Sequence, residues 1–227
     1  MKTPDFTRAS AVLFDLDGTL CDTAADLAAP VNAMRVARGL EPLPLAELRP
    51  HASAGARGLI GRALGIDREH PEFEGLRVEF LAAYERDMVV HTCLFPGMQD
   101  LLERLERRGI GWGIVSNKVE RYVRQITDEL ELTSRCIAIV GGDTAARAKP
   151  FPDPLLHAMK VAGLEPASAS TVVYVGDDYR DIQAGKAAGM PTIAAAFGYC
   201  GLEHPPQAWG ADALVDHAGE IAPLLGV

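Results

Sequence analysis

Short apolar runs alternate along this chain with helix-like segments, several of them closed by glycine. That rhythm predicts an α/β protein built on a doubly wound (Rossmann-like) parallel sheet. Between Asp22 and about His91 the strand rhythm stops and only helical patterning remains, which predicts an inserted all-helical cap.

In chain order the apolar runs are Ala11–Phe14, Trp112–Val115, Ile137–Val140, Thr171–Val175 and Thr192–Ala196, with a weaker one at Ala213–Val215. They are continuous rather than alternating, the pattern of strands buried on both faces of a parallel sheet. Helices are expected over Met98–Arg108, stopped by Gly109, over Glu120–Leu130, and over Pro154–Ala162, stopped by Gly163. A further helix over Asp181–Ala188 ends at Gly189 with Pro191 just beyond. Within the interruption, Ala24–Arg38 is closed by Gly39, and Phe73, Leu76, Phe80, Leu81, Tyr84 and Met88 recur at helical spacing. This stretch is too long for one crossover connection. The expected division is therefore a discontinuous core of residues 1–21 and 93–227 and a cap of residues 22–92. Linkers are expected near Leu20–Thr23 and Val90–Pro96.

Composition excludes several classes of function. The 227 residues are 48% hydrophobic, 23% charged and carry a formal net charge of −9, which fits a globular domain with a real core and not a disordered chain. The acidic balance argues against nucleic acid and anionic membrane as partners, both of which call for a basic surface. Cys21, Cys93, Cys136 and Cys200 form no C-x-x-C pair, so neither a disulfide framework nor a zinc knuckle is expected. Met1–Ser10 lacks the apolar run of a signal peptide, and no apolar stretch reaches the ~18 residues of a membrane span. A cytoplasmic location is expected.

In an open parallel sheet the site forms beyond the carboxyl ends of the strands. The residues there are Asp15-Leu16-Asp17-Gly18-Thr19, then Ser116-Asn117-Lys118, then Gly176-Asp177-Asp178 with Asp181, while Lys149-Pro150 falls in a loop between two strands. Carboxylates crowded together repel one another unless a cation offsets them, and hard oxygen ligands select Mg²⁺. Ser116, Lys149 and the backbone N–H groups around Asp17–Thr19 offer donors to phosphate oxygens. Asp15 is placed to attack phosphorus as a nucleophile, and Asp17, two residues on, to act as acid and then base. A small phosphorylated metabolite is the expected partner.

Together these four motifs resemble those of the haloacid dehalogenase superfamily, and the helical insertion after the first resembles the cap of its phosphoglycolate phosphatase branch. The resemblance implies that Asp15 is the nucleophile and Asp17 the acid/base, with Ser116 and Lys149 as the other catalytic, phosphate-binding residues. It further implies Mg²⁺ on Asp15, the Asp17 carbonyl and Asp177, with Asp181 in support. Gly18, Thr19 and Asn117 are expected to contact substrate, and Asp178 stands where relatives often carry a small hydroxyl residue. The implied activity is a Mg²⁺-dependent phosphatase of small phosphomonoesters, active as a monomer or homodimer.

Other reactions of the superfamily fit less well. Asp17 argues against a dehalogenase, which has no leaving alkoxide to protonate. The stretch between Asp22 and Thr92 holds no lysine, against a phosphonatase that needs a cap Schiff base. A phosphosugar mutase of the β-phosphoglucomutase type stays as the alternative, and a catalytically silent binding protein on the same fold as a remote one. Specificity is expected in the cap, with Ser53–Gly58 as a substrate loop and Arg57 as a fork for a substrate carboxylate. That loop, with His204-Pro205, Trp209–Asp212 and Asp216-His217, resembles N-acetylmuramic acid 6-phosphate phosphatases, so the candidate substrates are 2-phosphoglycolate and N-acetylmuramic acid 6-phosphate.

Overall fold

The computed structural model describes residues 4–227. Six strands form the main sheet: β1 (Ala11–Phe14), β4 (Gly111–Val115), β5 (Ile139–Val140), β6 (Val172–Gly176), β7 (Thr192–Ala195) and β8 (Ala213–Val215). A short ribbon pairs β2 (Cys21–Asp22) with β3 (Cys93–Leu94). The helices are α1 (Ala24–Ala37), α2 (Leu45–Leu48), α3 (Gly55–Leu64), α4 (Phe73–Arg86), α5 (Met98–Arg107), α6 (Glu120–Glu129), α7 (Asp153–Val161), α8 (Tyr179–Ala187) and α9 (Ile221–Leu225).

All neighbours in the main sheet run parallel, in the order β5-β4-β1-β6-β7-β8. Side chains on β1 alternate between the two faces. Val12 and Phe14 join the core built with α5, α6 and α9, while Ala11 and Leu13 join Leu155, Met159 and Tyr174 beneath α7 and α8. Covering both faces is what makes these strands apolar throughout. Strand β1 is central: Phe14 pairs with Ile114 on one side and Val175 on the other. The carboxyl ends of three neighbouring strands therefore open onto one crevice.

Two elements differ from expectation by more than one residue at an end. Strand β5 spans only Ile139–Val140, although the Ile137 N–H still donates to the Trp112 carbonyl at 2.8 Å and the Ala138 carbonyl still accepts from Ile114 at 2.9 Å. Helix α8 begins at Tyr179 because Asp178 caps it, its carboxylate accepting from Arg180 N–H while Asp181 reaches back to the Asp178 N–H.

The helical cap comprises α1–α4 and a 3-10 turn at Arg49–Ala54. The chain enters and leaves it through the β2–β3 ribbon, which lies in the two segments expected as linkers; at two residues a strand, the ribbon is too short for a strand period to register in the sequence. Buried Asp26 on α1 fixes the exit, accepting from the N–H groups of Val90 (3.1 Å), His91 (3.0 Å) and Thr92 (2.8 Å) and from the Thr92 hydroxyl (2.7 Å). On the entry side, Arg49 grips Asp22 with its two terminal guanidinium nitrogens, at 3.0 and 2.8 Å. Among the described residues, no helix is long and apolar enough to cross a membrane.

Candidate active site

Asp15 directly follows β1, and its N–H still donates to the Val175 carbonyl at 2.9 Å, so the sheet itself sets its position. Lys149 arrives from the loop before α7 and is buried, with 5% exposure. Its ammonium donates to the Val115 carbonyl (3.0 Å) and the Tyr174 hydroxyl (2.9 Å), and lies 2.8 Å from Asp15 Oδ1 and 2.6 Å from Asp181 Oδ1. Asn117 fixes this loop by a reciprocal pair: its amide donates to the Lys149 carbonyl at 3.0 Å, and its carbonyl accepts from the Lys149 N–H at 2.9 Å. Burial works against the Lys149 ammonium, but the two carboxylates outweigh it and hold the group charged.

Asp177 lies fully buried beyond β6. Its carboxylate accepts from the Thr19 hydroxyl at 2.9 Å and from the Tyr199 N–H at 2.7 Å. Gly18 and Gly198 permit this approach, since a Cβ at either would overlap the Asp177 side chain, and Gly18 also holds a positive φ of 88°. Gly18 and Thr19, expected to contact substrate, are thus turned toward Asp177. They brace a carboxylate because the turn after β1 folds back against the loop after β7.

Oxygens of Asp15, Asp177 and Asp181 all lie within 4.8 Å of one another. Burial pushes the Asp177 carboxyl well up, and the charges of Asp15 and Asp181 push it further. Burial raises Asp15 as well, against the pull of Lys149. The Lys149 ammonium, 2.8 Å from Asp15 Oδ1 and 2.6 Å from Asp181 Oδ1, is among the described residues the one cation paired with these three carboxylates. Three crowded carboxylates with a single ammonium fit a divalent cation with hard-oxygen preference.

Asp17 occupies a different environment. Lys118 donates to both its oxygens, at 2.7 and 2.9 Å, and the Thr23 hydroxyl donates to Oδ1 at 2.6 Å. The Lys118 ammonium also sits 5.1 Å from the centre of the Tyr84 ring, on cap helix α4. Burial would lower the Lys118 pKa, but the Asp17 charge overrides it and raises it.

Between core and cap lies a cavity of about 270 Å³, lined on the core side by Asp15, Asp17, Ser116, Asn117, Lys118 and Lys149. Its cap side is formed by Leu27, Ala52–Ala56, Phe80, Leu81 and Tyr84. Arg57 is not brought to this cavity. The expected loop Ser53–Gly58 is the end of the 3-10 turn and the start of α3, whose phase turns Leu59 and Ile60 inward and leaves Arg57 exposed, in a separate groove with Arg62 and Arg68. The cation that lines the cavity near Ser53 is Arg180, which pairs with Asp178 through Nε at 2.8 Å and donates to the Ser53 carbonyl at 2.8 Å. Sequence reasoning missed Lys118 and Arg180, although each sits inside a motif already singled out. It also took Tyr84 for core only, since helical spacing does not separate a core ring from one that also lines a cavity.

A family model described as haloacid dehalogenase-like hydrolase matches residues 12–195, a span that holds Asp15, Asp17, Ser116, Lys149, Asp177 and Asp181. The chain belongs to the haloacid dehalogenase-like hydrolase family. It is 43% identical over 218 residues to the N-acetylmuramic acid 6-phosphate phosphatase of Pseudomonas putida, covering 96% of each chain. It is 45% identical over 211 residues to the phosphoglycolate phosphatase of Xanthomonas campestris pv. campestris, covering 93% of this chain and 94% of the relative. A solved haloacid dehalogenase-like family hydrolase of Streptococcus pneumoniae superposes with a TM-score of 0.75 at 20% identity, covering 96% of this chain and 98% of that one, a likeness of fold. As a haloacid dehalogenase-like hydrolase the protein is an enzyme, and the relatives that resemble it over nearly their whole length are named as phosphatases.

Proposed function

We propose that this hydrolase is a Mg²⁺-dependent phosphatase that cleaves a small phosphomonoester through an aspartyl-phosphate on Asp15. The observation that carries the reading is the meeting of Asp15, Asp177 and Asp181 with the buried Lys149 ammonium at the ends of neighbouring strands, beside the cavity between core and cap. Asp15, the Asp17 carbonyl and Asp177 would hold the cation, with Asp181 in support. Bound there, Mg²⁺ neutralises carboxylate and phosphate charge so that the anionic nucleophile and ester can approach.

Asp15 attacks phosphorus, forming the acyl-phosphate bond as the bond to the ester oxygen breaks. Asp17 enters the first step protonated, gives that proton to the departing alkoxide, and regains one from the water that attacks the aspartyl-phosphate and frees inorganic phosphate. Lys149 and Ser116 bind the phosphoryl oxygens, and Asn117 keeps the Lys149 loop in place. Lys118 and Thr23 orient Asp17. The chemistry needs positioning and charge neutralisation more than covalent help from the protein. The substrate is a phosphorylated metabolite such as 2-phosphoglycolate or N-acetylmuramic acid 6-phosphate, as the names of the two relatives suggest.

The test is phosphate release from both esters, β-glucose 1-phosphate and an aryl phosphate, with Mg²⁺ and after EDTA. Metal-dependent release with one strong preference is expected. No release from any of them overturns the reading.

A further inference from the structure

With Arg57 exposed in a separate groove, three other cations line the cavity between core and cap among the described residues: Lys118, Lys149 and Arg180. Two of them have no donor to spare. Lys118 gives N–H groups to the two Asp17 oxygens, at 2.7 and 2.9 Å, and another to the Tyr84 hydroxyl. Lys149 is ringed by oxygens of Val115, Tyr174, Asp15 and Asp181.

Arg180 differs. Its Nε donates to Asp178 Oδ1, and its Nη2 donates to Asp178 Oδ2 and to the Ser53 carbonyl, each at 2.8 Å. Nη1 makes no hydrogen bond among the described residues, yet it is not enclosed, so its two N–H groups are open to a ligand. The side chain is 31% exposed, against 8% for Lys118 and 2% for Lys149. Nor is it loose, for Asp178 grips one edge of the guanidinium and the cap turn at Arg49–Ala54 holds Nη2. Arg180 also stands where the cavity meets a second cleft of about 450 Å³, between that turn and the loop after β7, which leaves room beside it for an alcohol half larger than glycolate.

The phosphoryl end of the ester has its donors in Ser116 and Lys149, on the core. Arg180 lies instead at the seam between core and cap, on the side of the cavity left to the alcohol half. A fixed guanidinium with free N–H groups suits a carboxylate oxygen, and such charge-assisted bonds are the strong ones. We infer that Arg180 is a specificity-determining residue whose Nη1 binds a carboxylate on the alcohol half of the phosphoester. The preferred substrates are then phosphoesters of hydroxy acids or of acidic sugars. This inference rests on the phosphatase reading above.

The test uses two matched pairs of esters with Mg²⁺ present: 2-phosphoglycolate with ethyl phosphate, and N-acetylmuramic acid 6-phosphate with N-acetylglucosamine 6-phosphate. Within each pair one ester bears a carboxylate and the other does not; an aryl phosphate is the neutral reference if a partner is not hydrolysed. Wild type is expected to have the higher kcat/KM on the acid of the pair it turns over. Arg180→Gln is expected to lower that acid-to-neutral ratio roughly ten- to a hundredfold, as the loss of one hydrogen bond to a charged group does. Arg180→Gln also leaves the Asp178 carboxylate unpaired. The double variant Asp178→Asn/Arg180→Gln removes both charges while asparagine still caps α8, and is expected to show the same fall in the ratio even if the single variant folds poorly. An unchanged ratio overturns the inference, including an equal fall on both members, which is what a role in holding the cap through Ser53 or in binding the phosphoryl group would give. Wild type that releases phosphate without favouring the acid overturns the inference alone. No release from any ester overturns the phosphatase reading and the inference with it.

Discussion

Replacing Lys149 with methionine removes the ammonium that lies 2.8 Å from Asp15 and 2.6 Å from Asp181 while keeping an unbranched apolar stem of nearly the same length. At such distances and an effective dielectric constant of about 20, each attraction is worth roughly 6 kcal/mol before burial is counted. Desolvation of the ammonium offsets much of that, and breaking one side of a buried ionic cluster costs about 3–5 kcal/mol in practice, because the remaining charges stay buried without compensation. For a chain of this length the loss corresponds to a fall in melting temperature of roughly 6–20 °C. The assay is thermal unfolding of wild type and Lys149→Met in EDTA, where carboxylate repulsion is not masked, and again with Mg²⁺. The fall is expected to be largest in EDTA and to shrink with Mg²⁺. It is also expected to disappear when Asp15→Asn and Asp181→Asn are combined with Lys149→Met. A Lys149→Met variant that melts with wild type in EDTA would refute the claim that this lysine offsets the buried carboxylates.

Gly18→Ala is expected to destabilise by about 1–2 kcal/mol from its positive φ alone, and further by driving a methyl group against Asp177, with a rise in the Mg²⁺ concentration needed for activity; titrating activity against Mg²⁺ checks it. Asp26→Ala strips the cap exit of its acceptor for three N–H groups and the Thr92 hydroxyl, and is expected to cost about 2–4 kcal/mol in urea unfolding. A further expectation concerns acid. Burial would raise the Asp22 carboxyl, but hydrogen bonds and charge from Arg49 outweigh it and hold the group below its usual value. The pair therefore stabilises fully above the unfolded carboxylate pKa of about 3.9 and loses that contribution as pH falls through the lower folded value. Asp22→Asn should melt with a shallower dependence on pH in this acid range than wild type; an unchanged dependence would contradict the assignment.

Much of the fold was legible because burial on both faces leaves a continuous apolar run, and five of the six sheet strands begin and end within a residue of their runs. Edge strand β5 was read too long, since apolar Ile137 and Ala138 extend the pattern beyond the paired residues. The β2–β3 ribbon left no period to detect. In the candidate site, Asp15, Ser116, Asp177 and Asp181 were visible as residues just beyond strand ends, and the structure brings them and Lys149 together. The partners of those residues were not visible. That Lys118 reaches Asp17, or that Thr19 turns to Asp177, depends on loops meeting from distant parts of the chain. Arg57 was drawn toward the substrate by its glycine-rich surroundings, but its direction is set by the helical phase of α3, which begins at Gly55.

The central claim is a covalent phosphoryl group on Asp15. Wild type and Asp15→Asn are each mixed with a radiolabelled phosphoester and Mg²⁺, quenched in acid during turnover, and the protein-bound label is counted. The account predicts label on wild type, released by hydroxylamine as an acyl-phosphate is, with none on Asp15→Asn, which should keep its fold and release no phosphate. Label on the asparagine variant, or wild-type turnover by it, would contradict the mechanism.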